Sequence, residues 1–76
     1  MERTYTYRIN DSDWRETKTP DTNLADLAER VAERAHYLGE DFPLNVDIIT
    51  GYHWKRFEVI REAMPIFTAY ESVKQR

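Results

Sequence analysis

Apolar residues recur along this chain in two rhythms, one helical and one alternating. Between Asn23 and Leu38, the positions Leu24, Leu27, Ala28, Val31, Ala35 and Leu38 follow the i, i+3, i+4, i+7 spacing of one helix face, with Asp26, Glu29, Arg30 and Glu33 opposite. Asn23 is placed to cap the first turn, Asp26 lies near its positive end, and Gly39 supplies the left-handed residue that stops the helix. The spacing therefore predicts a single amphipathic helix whose greasy side must be covered.

The alternating rhythm marks what covers it. Arg3 to Ile9 sets Tyr5, Tyr7 and Ile9 against Thr4, Thr6 and Arg8, the pattern of a strand with one buried side. Leu44 to Thr50 sets Leu44, Val46 and Ile48 against Asn45, Asp47 and Ile49, giving a second strand after the Glu40-Asp41-Phe42-Pro43 turn, whose proline biases Phe42 toward extended backbone. Lys55 to Ala63 fits a helix through Trp54, Phe57, Ile60 and Met64, but Val59 falls off that stripe. A strand with Phe57 and Val59 on one side, turning at Glu62 to Pro65 into Ile66 to Tyr70, fits better. Asn10 to Thr22 is rich in Asn, Asp, Ser, Thr and Pro, keeps no period and reads as a loop; the tail Ser72 to Arg76 is expected to fray. The expected architecture is one α+β domain over residues 1–76, β-α-β-β-β, with an antiparallel four-stranded sheet and one helix on one face.

A helix of this length, roughly 22 Å, covers one side of such a sheet only. The other side should be polar, as Thr4, Thr6 and Arg8 are, yet Ile49 stands opposite the Leu44, Val46 and Ile48 side, Ile60 opposite Phe57 and Val59, and the last strand has Ile66 and Tyr70 on one side and Phe67 on the other, so some of these apolar residues must lie outside the core. Contiguous, they would form a docking surface or a homodimer seam. Trp14, alone in its polar stretch, either folds back onto the core or serves as a binding anchor; Trp54 is open to the same two readings.

Composition narrows the classes. Aromatics make up 13% of the chain, so a few large rings build much of the core. With no cysteine, disulfides, thiolate zinc sites and thiol nucleophiles are ruled out; a small unstapled domain with no apolar leader or 18-residue apolar run is expected to be soluble and cytoplasmic, with no membrane partner. The net charge of −3 is uneven: residues 1–47 hold eleven acids against six bases (−5), and residues 48–76 hold three against five (+2).

Catalytic and metal signals are thin. Glu33 and His36 form a single E-x-x-H pair, whereas a di-iron bundle needs two. Asp11-x-Asp13 opens like a calcium loop, but Arg15 and Glu16 stand where a ligand and a glycine belong. Ser12 and Ser72 lie in a turn and a tail, His53 sits beside a turn, and two glycines cannot make a phosphate cradle. No catalytic, metal or cofactor residue is assigned, and a non-enzyme is expected.

Two binding readings remain. Asp26, Glu29 and Glu33, continued by Glu40 and Asp41, form an acidic ridge which, with Trp14 and Trp54, suits docking on a larger protein or complex, including one that handles nucleic acid. By size and charge alone this resembles the small phage or mobile-element inhibitors of host defence nucleases, anti-CRISPRs among them. The alternative is a small RNA- or DNA-binding domain, with a homodimer as one possible form, in which Tyr52, His53, Lys55, Arg56 and Arg61 interleave cations with Trp54 and Phe57.

Overall fold

A computed structural model describes residues 2–20, 23–51, 53–63 and 66–72 of the chain. It is α+β, with one helix on an antiparallel sheet, but the sheet has five strands where the sequence suggested four. The elements run β1 (Arg3–Ile9), β2 (Arg15–Thr19), α1 (Leu24–Tyr37), β3 (Leu44–Thr50), β4 (His53–Ala63) and β5 (Ile66–Glu71), and the spatial order is β2-β1-β3-β4-β5. The correction is β2, inside the stretch read as loop. RETKT offers no apolar residue to set a period, because it is an edge strand whose outward positions are charged.

The helix behaves as its periodicity requires. The Asn23 side chain accepts from the Ala25 and Asp26 N–H groups, and Gly39 takes a φ of 98° just past the C-cap Leu38. Leu27, Ala28, Val31, Ala32 and Ala35 are buried against Tyr5 of β1, Leu44, Val46 and Ile48 of β3, Phe57 and Val59 of β4, and Phe67 of β5. Lys55 to Ala63 is strand, as its alternation implied, with a register shift near its end between Arg61 and Ala63. The expected turn at Glu62 to Pro65 is not a turn at its start, since β4 runs on through Ala63; residues 64 and 65, like Tyr52 and the tail beyond Ser72, lie outside the described residues.

An α-helix is about 10 Å across with its side chains, while five strands about 4.8 Å apart span nearly 20 Å. Accordingly α1 lies mainly over β3, β4 and β5 and meets the β2–β1 wing only at its edge, where Tyr5 and Thr19 are buried while Tyr7 and Thr17 stay half-buried. The whole opposite face of the sheet is uncovered by any helix.

Candidate functional site

Alternation puts Thr6 and Arg8 of β1, Asp47 and Ile49 of β3, and Trp54, Arg56, Glu58 and Ile60 of β4 on that open face. Register then aligns Arg8 with Asp47 and Asp47 with Arg56 in one row across three strands. Opposite charges directly across strands attract, and here they interlock. Arg8 donates from Nε to Asp47 Oδ2 at 2.8 Å; Arg56 grips the same carboxylate with Nε to Oδ1 at 2.6 Å and Nη2 to Oδ2 at 3.0 Å. Although it sits on the face away from the helix, Asp47 is 1% exposed, covered by the side chains that hold it.

A tight turn completes the cluster. Asn10 and Asp11 both adopt positive φ, 51° and 64°, and Ser12 N–H donates back to Ile9 O, as in the type I′ turns that match the twist of a hairpin. Asn10 is locked to β3 by its N–H to Asn45 O and by its Oδ1, which accepts from Asn45 N–H. The turn brings Asp11 Oδ1 within 3.1 Å of Arg56 Nη2 and 3.4 Å of Arg8 Nη2. Two carboxylates thus balance two guanidinium groups.

Covering the Asp47 carboxylate favours its neutral form, and this is the largest single influence on it. Hydrogen bonds from Arg56 and Arg8, with their positive charges, together outweigh it and hold the carboxyl below its ordinary 3.8. The same bond to Asp47 keeps Arg56 more firmly protonated than usual. Asp47 is therefore a fixed counter-ion at neutral pH, unlike a general base poised near the working pH.

Above this row lie the tryptophans. Trp14 does not fold onto the core: one residue before β2, on the side opposite Arg15, it lands on the open face, with the Arg8 guanidinium 4.5 Å from its ring centroid. Trp54 meets it edge to face at 6.2 Å, and Arg8 lies 5.7 Å from that ring too. Trp14 remains 38% and Trp54 61% exposed, with half-buried Ile49 alongside; Ile60, Ile66 and Tyr70 lie on the same face farther along β4 and β5, separated from the tryptophans by Arg56 and Glu58.

The other residues singled out in the sequence are scattered. Asp26 is exposed in the first helical turn, but Glu29 reaches the sheet edge, where its Oε2 accepts from the Ala69 N–H at 3.1 Å, and Glu33 is half-buried. Glu40 and Asp41 flank a separate recess near the helix end with His36, Phe42 and Arg61. The acidic ridge and the tryptophans occupy opposite sides of the molecule. The basic and aromatic set is likewise divided by the two-residue strand period: Lys55 faces the helix side and pairs with Glu71 at 3.0 Å, Arg61 lies at the other end of that side, and Arg56 is bound to Asp47 on the open face. His53 is exposed at the start of β4. His36 of the E-x-x-H pair stacks among Tyr37, Phe42 and Phe67, and among the described residues no cluster of His, Cys, Asp or Glu is placed to hold a metal ion. Among them, too, no helix is long and apolar enough to cross a membrane.

Sequence reasoning placed Arg8 and Asp47 on the polar sides of their strands and weighed Asp11 only as a calcium ligand, but did not join the three into a site. The available signal was Asp47 at the centre of the most apolar strand, a position that requires a partner, but nothing in the sequence says which strand supplies it.

A small helix-backed antiparallel sheet with an aromatic, charge-balanced open face is the class these features define. Comparison with protein-family models matches none, and comparison with curated proteins and with solved structures finds no significant match.

Proposed function

We propose that this is a non-catalytic interaction protein that docks the open face of its sheet, centred on Trp14 and Trp54, onto a larger protein or complex. The observation that carries the reading is the pair of tryptophans held edge to face over an Arg8–Asp47–Arg56 row that Asp11 neutralises, with Trp54 61% exposed. Rings fixed before binding lose little freedom on docking, and aromatic anchors ringed by less critical contacts dominate binding energy at protein interfaces. The narrower reading, an inhibitor or modulator of a partner that handles nucleic acid, rests on small size and acidity.

The test is affinity capture from a lysate of the source cells. The wild-type chain and a helix-side control, Asp26→Ala, should retain the same stoichiometric protein, whereas Trp54→Ala should lose it while keeping its circular dichroism and melting temperature. Retention by the folded Trp54→Ala variant, or the lack of any stoichiometric partner, would refute the proposal.

A further inference from the structure

The helix packs mainly on three strands of five, and between its edge and the β2–β1 wing runs a trough of about 340 Å³. Its floor is Tyr7 and Thr17 from the sheet and Val31 from the helix; the rim is Arg30 and Arg34, four residues apart and so on one edge of α1. Arg30 reaches across from Nη1 to Thr19 Oγ1 at 3.5 Å, which turns its charged end over the trough. Arg34 is exposed and makes no ion pair among the described residues. Among the described residues the lining holds Glu33 against Lys18, Arg30 and Arg34, an excess of cations in a chain that is net negative.

We propose that this trough binds a small amphiphilic anion, with a carboxylate, sulfonate or phosphate head on Arg34 and Arg30 and an aromatic or short aliphatic body on Tyr7 and Val31. A guanidinium pair on adjacent turns suits a planar or tetrahedral oxyanion, which it can hold by charge-assisted hydrogen bonds. A bare anion would leave the apolar floor wet, and a cation would face both arginines. The volume lies at the small end of known ligand sites and matches a small molecule. The trough is on the opposite side of the sheet from Trp14 and Trp54, so the proposal stands apart from the docking function.

Anilinonaphthalene sulfonate is a suitable probe, because its fluorescence reports entry into an apolar site and its sulfonate supplies the head. Titration of the full chain at neutral pH should show saturable one-to-one binding, with uncharged phenylnaphthylamine at least about tenfold weaker. Arg34→Gln should weaken the sulfonate by a similar factor, with partial recovery in Arg34→Lys, and Thr17→Trp should abolish binding by filling the floor. Trp54→Ala should bind as wild type does. Arg34 is exposed, so its variants test the charge without disturbing the core. Non-saturating fluorescence, equal affinity for the uncharged analogue, indifference to Arg34→Gln, or loss of binding in Trp54→Ala would each overturn the proposal.

Discussion

Asp47 is the residue on which the open face turns. Its two oxygens are shared between guanidinium groups from the strands on either side, so removing it leaves two cations facing each other with no counter-ion between them except Asp11, which is largely in water. Breaking a buried ion pair from one side typically costs about 3–5 kcal/mol; Asp47→Ala should cost somewhat less, about 2–3 kcal/mol, because Arg56 keeps partial contact with solvent. Chemical denaturation with a matched slope would measure it. The same residue sets a pH dependence. Its folded pKa is below the unfolded one, so the unfolded chain binds more protons in the acid range. The stabilisation is complete above the ordinary 3.8 and is lost as pH falls through the lower folded value. Asp47→Asn should therefore show a shallower loss of stability than wild type on acidification below about pH 4, read as the difference in urea midpoints. Parallel acid limbs in the two proteins would count against this account.

At the scale of elements, the β1–β2 hairpin is where local chemistry and long-range contact meet. Asn10 and Asp11 hold positive φ, which side chains other than glycine adopt at a cost of roughly 1–2 kcal/mol, less for Asn and Asp. Asp11→Gly would relieve that strain but remove an exposed carboxylate from Arg8 and Arg56, a contact worth about 0.2–1 kcal/mol. The two effects nearly cancel, so the variant should melt close to wild type; a large loss would mean the Asp11 bridges are far stronger than exposed pairs usually are. The helix is simpler. Leu27 is almost wholly covered, and Leu27→Ala should cost about 3 kcal/mol through lost transfer energy and an unfilled space under α1. This contrast explains why the helix was legible and β2 was not. Leu27 announces its burial by spacing along its own element, whereas Thr17 and Thr19 acquire a buried side only because β1 lies next to them.

For the whole molecule, the sheet divides its side chains between two surfaces, and that division bears on partners. Lys55 and Arg61 stand on one side and Arg56 on the other, and Lys55 and Arg56 are each paired with an acid. A strand of nucleic acid cannot engage all three at once. Single-stranded DNA or RNA should accordingly show no strong binding at low salt, and the log–log salt slope should stay well below the magnitude of about 2 that three phosphate contacts give on a single strand. Tight binding with a steep slope would restore nucleic acid as the partner.

The sequence by itself determined the helix with its caps, four of the strands, the division of their residues between two sides and a surplus of apolar residues that one helix cannot cover, because each follows from the fixed repeat of a helix or strand. Tertiary structure alone decided the fifth strand, the return of Trp14 to the open face, the Arg8–Asp47–Arg56 row and the trough beside the helix. Those depend on which strands become neighbours and in what register, and residues 8, 47 and 56 are too far apart in the chain for any local period to relate them.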